Sequence, residues 1–219
     1  MSRLILWPGL AADERMYRRL GECGWELVTP RLPIPKRGEA FTDYARRCAE
    51  GVSVDEEDVV GGCSFGSLVA GEIARQRPVR GLVLLAGALD STAMPAAIRW
   101  LGSLPALFPM SWLRRYFASD MNLRLFFGEQ DAEGYALARE MLADTADAML
   151  DYGGRMAIRC KQQSLPDVPV FALHGREDRV MTPPPLAQCQ IIAGAGHGLV
   201  FSHAGEVTHF LRDLNSRLR

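Results

Sequence analysis

The stretch Val59-Val60-Gly61-Gly62-Cys63-Ser64-Phe65-Gly66-Ser67-Leu68-Val69-Ala70 constrains this chain more than any other. An apolar run of β character enters Gly-Cys-Ser-Phe-Gly and leaves as a helical pattern carried by Leu68, Val69, Ile73 and Ala74. A backbone that turns from strand to helix within a residue or two needs glycines where its two arms approach. Such a turn pushes a side chain out at the end of the strand, so Ser64 is the candidate nucleophile.

The same alternation extends on both sides. Arg3 to Trp7 is a short apolar run closed by Pro8-Gly9, as expected of a buried strand that ends in a loop. Asp13 can cap a helix reaching about Glu22 with Met16 and Leu20 on one face, and Trp25 to Val28 predicts a second strand ended by Pro30. After the proline-rich loop from Pro30 to Pro35, the spacing of Phe41, Tyr44, Ala45 and Cys48 predicts a helix up to Gly51. Asp58 to Gly61 is the third strand, and Pro78 stops the helix that follows Ser64. Val79 to Ala86 is apolar almost without interruption, the pattern of a strand covered on both faces. Strand and helix alternating in this way imply an α/β fold with a doubly wound sheet.

From about Ala88 to Gln163 the alternation stops and helical segments follow one another, over Pro95 to Leu104, Ser111 to Ala118, Asp120 to Phe127, Ala132 to Ala143 and Thr145 to Lys161. The first half is rich in large apolar groups, among them Trp100, Leu101, Leu104, Phe108, Met110 and Trp112. Any one of them is ordinary core; a whole layer inserted beside the strand ends reads as a lid over an apolar site. Trp100, Leu104, Phe108, Met110 and Trp112 are therefore the candidate substrate-binding residues. Strands resume at Val168 to Leu173 and Gln188 to Ile192, and a last helix carries Val207, Phe210, Leu211 and Leu214 on one face.

Composition excludes several classes. A chain of 219 residues fits one domain, and a formal net charge of −1 gives no reason to expect nucleic acid or an anionic membrane as partner. The pair Arg114-Arg115 reads as solvated surface. Five cysteines, Cys23, Cys48, Cys63, Cys160 and Cys189, show neither C-x-x-C nor metal-type spacing, which fits a reducing compartment better than a disulfide framework. The apolar run at Leu4 to Trp7 is too short for a signal-peptide core, and no stretch approaches the ~18 uninterrupted apolar residues of a membrane span. A cytoplasmic protein is expected, and nothing in the sequence assigns an oligomeric state.

Three loops that each leave the C-terminal end of a predicted strand hold Ser64, then Glu177-Asp178, then His197. That edge is where open parallel sheets hold ligands. With Trp7-Pro8-Gly9-Leu10, Gly62-Cys63-Ser64-Phe65-Gly66, His174-Gly175-Arg176-Glu177-Asp178 and Gly194-Ala195-Gly196-His197 in this order, the chain resembles the α/β-hydrolase superfamily over nearly its whole length. It looks closest to short bacterial esterase and thioesterase-like members with a helical cap. The resemblance implies a minimal version of the fold, with about six mostly parallel strands beginning at the family's third, flanking helices, and a cap at about 88–163 inserted into one domain spanning 1–219. Its sheet edge then needs covering by a helix or a partner.

The resemblance also implies roles. Ser64 would be the nucleophile, His197 the base, and Asp178 the acid that orients it, preferred over Glu177 because His-Gly-x-x-Asp is the family spacing. His174, at the end of a predicted strand, reads as structural from its position alone. The backbone N–H groups of Leu10 and Phe65 would form the oxyanion hole, where removing one donor typically costs about 10²–10³ in rate. Two positions depart from the family pattern: Pro8 stands where many relatives have histidine, and Ser67 where a second glycine is frequent. The implied function is hydrolysis of a small carboxylic ester or thioester with no cofactor and no metal. C–C bond hydrolysis or perhydrolysis by the same residues, and a non-catalytic binding protein on this fold, are the other readings. Serine rather than aspartate at position 64 disfavours dehalogenation.

Overall fold

The computed structural model describes residues 2–103, 110–161 and 164–218, without the side chains of 101–103 and 110–113. Strands β1 (Arg3–Trp7), β2 (Glu26–Val28), β3 (Val59–Cys63), β4 (Gly81–Leu85), β5 (Val170–Gly175) and β6 (Cys189–Ile192) form one six-stranded sheet in the order β2-β1-β3-β4-β5-β6. Every neighbouring pair is parallel.

Alternation along the strands sorts the core into two layers. Leu4, Leu6, Val59, Val83, Leu85, Phe171 and Leu173 pack with Val207, Phe210, Leu211 and Leu214 of the last helix (Ala204–Arg217). Ile5, Trp7, Val60, Leu82, Leu84 and Ala172 belong to the other layer, with Tyr44 and Cys48 of α1 (Phe41–Glu50) and Leu68, Val69 and Ile73 of α2 (Phe65–Gln76). All five residues of β3 and of β4 are buried, which is why both strands read as apolar runs instead of alternating. Each large aliphatic side chain so buried is worth about 1.5–3 kcal/mol.

The connections place the site. From β1 the chain moves outward to make β2, then returns to add β3 on the other side of β1, with Trp7 opposite Gly62. The loops after β1 and β3 therefore leave neighbouring strands in opposite directions, opening the crevice in which such sheets hold ligands.

Between β4 and β5 lie a 3-10 turn (Ser91–Ala93), α3 (Ala96–Ser103), α4 (Met110–Phe117), α5 (Asp120–Phe127), α6 (Ala132–Asp144), a π-helical turn (Met149–Gly153) and α7 (Gly154–Arg159). Ser119 and Asp131 cap α5 and α6 through their side chains, and Gly128 ends α5 at φ 79°. No described helix is long and apolar enough to cross a membrane.

Two segments differ from the sequence expectation. The helix expected from Asp13 to Glu22 is only a 3-10 turn over Glu14–Tyr17, capped by Asp13. Long-range bonds shape it instead: Tyr17 donates its hydroxyl to Trp7 O at 2.8 Å, and Arg15, Arg18 and Arg19 reach Asp144, Glu133 and Asp131 at α6. The helix expected from Thr145 to Lys161 is split into the π-helical turn and α7. Gly153 sits where an added Cβ would lie 2.6 Å from Leu10 Cδ1, so the wider turn brings the insertion's backbone against the loop after β1.

Candidate active site

Ser64 sits between β3 and α2 at φ 54° and ψ −116°, a left-handed conformation that a serine rarely adopts. It is the residue that precedes the helix, yet its side chain makes no capping bond, so the hydroxyl is left for other partners. Glycine makes the geometry possible: a Cβ on Gly66 would collide with Trp7 O and lie 2.6 Å from Pro8 O. The turn is thus pressed directly onto the loop after β1. Gly66→Ala is expected to cost about 3 kcal/mol or more by overpacking, which lowers Tm by about 10 °C in a chain of this size. Thermal denaturation checks this, and an unchanged Tm would mean that the two loops are not in contact.

Ser67 accounts for one departure from the family pattern. Its buried hydroxyl lies 2.5 Å from Ser64 O and accepts from Ala88 N–H at 3.1 Å, tying the turn to the segment after β4. A glycine could make neither bond.

The loops after β5 and β6 bring two more side chains to Ser64. His197 Nε2 stands 2.9 Å from Ser64 Oγ, and His197 Nδ1 stands 2.8 Å from Asp178 Oδ2. The Asp178 side chain is fully buried and His197 is 7% exposed. Asp178 Oδ1 accepts the backbone N–H groups of Val180 at 2.8 Å and Met181 at 3.0 Å. Burial works against ionising this carboxyl, but the charge on His197 and hydrogen bonds from His174, His197 and Met181 outweigh it and hold the pKa well below the usual carboxylate range. With an ionised acceptor at Nδ1, the imidazole carries its proton there, leaving Nε2 bare to accept the Ser64 hydroxyl proton. Glu177, the other acidic candidate, is exposed; its backbone N–H bonds to Ala195 O at 2.9 Å and pins the acid loop to the histidine loop. Cys63 takes no part, because burial pushes its thiol pKa well up.

Phe65 opens α2, so its N–H is among the helix-start donors that have no intrahelical partner. Gly9 packs against Ser64, with an added Cβ lying 3.7 Å from Ser64 Cβ, and Leu10 follows half-buried. Of the apolar candidates in the insertion, Trp100 stands 64% exposed on α3. Met110 and Trp112 lie on α4 with side chains outside the description, and Leu104 and Phe108 lie outside the described residues altogether.

Phe127, one of the large apolar residues of the insertion, is a neighbour of His197 that the sequence did not single out: the two ring centroids are 6.3 Å apart. Phe127 O accepts Gly198 N–H at 2.9 Å, and a Cβ on Gly196 would lie 2.7 Å from Gly128 Cα. The end of α5 and the histidine loop therefore meet backbone to backbone. No local pattern links residues 70 positions apart, although Gly128 and Gly196 mark the two turns.

Comparison with known proteins agrees with this architecture. The family model described as the alpha/beta hydrolase family matches residues 4–209. The chain belongs to the α/β-hydrolase family. No curated protein matches its sequence. Among solved structures, a thermophilic esterase from Thermogutta terrifontis with malate bound aligns at TM-score 0.76 and 17% identity, covering 100% of this chain and 90% of that one. The N-acyl homoserine lactonase AidH, complexed with N-hexanoyl homoserine lactone, aligns at 0.75 and 16%, covering 100% and 91%. A bromoperoxidase from Bacillus anthracis aligns at 0.69 and 16%, covering 96% and 91%. At these identities this α/β-hydrolase shares their fold, and the chemistry has to be argued from its own residues.

Proposed function

We propose that this α/β-hydrolase cleaves small carboxylic esters or thioesters through an acyl-Ser64 intermediate. The observation that carries the reading is the unbroken line from Asp178 Oδ2 through His197 to Ser64 Oγ, with contacts of 2.8 and 2.9 Å. Ser64 Oγ attacks the acyl carbon as its proton passes to His197 Nε2. Asp178 holds the imidazole and stabilises its cation. The N–H groups of Leu10 and Phe65 receive the charge that develops on the carbonyl oxygen. Collapse expels the alcohol or thiol, which takes the proton from His197, and water releases the acid by the same steps in reverse order.

The helices between Ala88 and Gln163 act in this reading as a cap. It meets the site on two sides, through Phe127 at the His197 ring and through Gly153 at Leu10. An apolar lining there favours longer acyl chains: at about 0.8 kcal/mol per buried methylene, two or three of them raise kcat/KM by about one to two orders of magnitude.

A fluorophosphonate probe is expected to label the protein once, at Ser64, and p-nitrophenyl esters of graded chain length to be hydrolysed best at medium length. The same acyl groups presented as CoA thioesters then decide between the two substrate classes. Absence of labelling in folded protein would favour a non-catalytic binding role. A series peaking at acetate would remove the cap from substrate recognition.

A further inference from the structure

His174 was expected to be structural, and its surroundings are unusual for that role. It is the next-to-last residue of β5, with its ring completely buried, and Nε2 lies 2.9 Å from Met181 O and 3.2 Å from Asp178 Oδ2. Both neighbours are acceptors, one of them a carboxylate oxygen, so only a ring protonated at Nε2 fits. In the neutral ring of that tautomer Nδ1 is the bare nitrogen, and among the described residues it has no hydrogen-bond partner although it is buried. A histidine that served packing alone would do better as an apolar side chain, because an unsatisfied buried acceptor is a cost with no return.

We propose that His174 is a positioning residue for the acid: its Nε2 proton, shared between Met181 O and Asp178 Oδ2, anchors the carboxylate oxygen that faces His197. This rests on reading Ser64, His197 and Asp178 as the hydrolytic triad. Asp178 Oδ2 thus serves two imidazoles at once, His197 at 2.8 Å and His174 at 3.2 Å, while Oδ1 is held by two backbone N–H groups. Four donors fix the carboxylate in one orientation, and the one supplied by His174 draws charge away from the side that His197 uses.

The sign of the consequence follows. Without the His174 donor, the charge on Oδ2 is concentrated on His197, its cation is better stabilised, and the base protonates at a higher pH. The other titratable groups packed against this pair are Cys63, which faces Asp178, and Tyr17 beside Cys63; burial pushes both pKa values up, so both stay neutral through the range that matters. Ser64 and the Phe127 ring are the further neighbours of His197.

The test is the pH dependence of kcat/KM for wild type, His174→Leu and His174→Gln. His174→Leu should move the acid limb upward by about half to one pH unit and lower the plateau by about tenfold with KM changed less than about twofold. His174→Gln, whose amide can donate to both Met181 O and Asp178 Oδ2, should bring the limb back. A folded His174→Leu with the wild-type limb would overturn the proposal. Nitrogen-15 spectra of the wild-type imidazoles give a readout that needs no variant to fold: His174 protonated at Nε2 and bare at Nδ1 supports it, and a proton on Nδ1 overturns it. Failure of the triad reading itself looks different, since Ser64→Ala would then remain active.

Discussion

On the proposed mechanism, Ser64→Ala is expected to hydrolyse esters about 10⁶-fold more slowly than wild type and to melt at the same temperature, on the scale set when a serine protease loses its nucleophile. The two halves of this expectation have separate grounds. Activity goes because Ser64 Oγ is the atom facing the His197 base at 2.9 Å. Stability stays because that hydroxyl caps no helix, and because alanine at φ 54° carries the same backbone strain as the serine it replaces. His197→Ala should lose nearly as much, and the double variant little more than either single one, since residues that act as one unit are not additive. Steady-state kinetics on chromatographically pure variants check this. More than a few per cent of wild-type turnover in Ser64→Ala would sink the acyl-serine mechanism.

What was legible in the sequence was whatever depends on local pattern. The runs at Leu4 to Trp7, Val59 to Cys63 and Gly81 to Leu85 announce strands because each is covered on both faces, and Gly62 and Gly66 announce the turn because only glycine fits so close to Trp7. The edge strand Glu26–Val28 is short and only partly buried, and its expected start was one residue too early. Asp13 does cap a turn, but helical spacing of Met16 and Leu20 carried no information about the arginines around them. Arg15, Arg18 and Arg19 are drawn to carboxylates more than 100 positions away, and Tyr17 to Trp7 O. The π-helical turn was invisible for the same reason, since it is Leu10 that presses on Gly153. The site divides likewise. Ser64, Asp178 and His197 stood out by their loops, whereas Phe127 next to His197 and the approach of His174 to Asp178 exist only once distant loops have met. For His174 a signal was present all the same: four residues before an acid, at a strand end that turns back on itself, a histidine is within reach of that carboxylate.

Asp178→Asn is the second large effect, because an amide cannot do both things this carboxylate does. Oδ1 accepts from Val180 and Met181 N–H, and Oδ2 accepts from His197 with His174 Nε2 standing 3.2 Å away, so both oxygens are committed as acceptors. Asparagine offers one oxygen. If it faces the backbone, the NH₂ group faces His197 Nδ1, the ring proton is displaced to Nε2, and the base can no longer take the Ser64 proton. If it faces His197, the NH₂ group confronts two backbone donors, and their loss costs about 1–3 kcal/mol each. The first arrangement keeps the buried backbone groups bonded, so turnover should fall by about 10⁴, as it does when a serine protease acid is changed in this way. The stability difference has a definite pH dependence. The Asp178 pKa is lowered in the folded protein despite burial, by His197, His174 and the Met181 N–H. Its contribution is therefore present above the unfolded value of about 3.9 and is lost as the pH falls through the folded one. Wild type should melt above Asp178→Asn at neutral pH, with the gap closing only below about pH 4. Glu177→Gln, at an exposed side chain, should change turnover less than about twofold, within the range of surface substitutions. If it proved more damaging than Asp178→Asn, the acid would have to be reassigned to Glu177 and the loop between Gly175 and Met181 would have to rearrange during turnover.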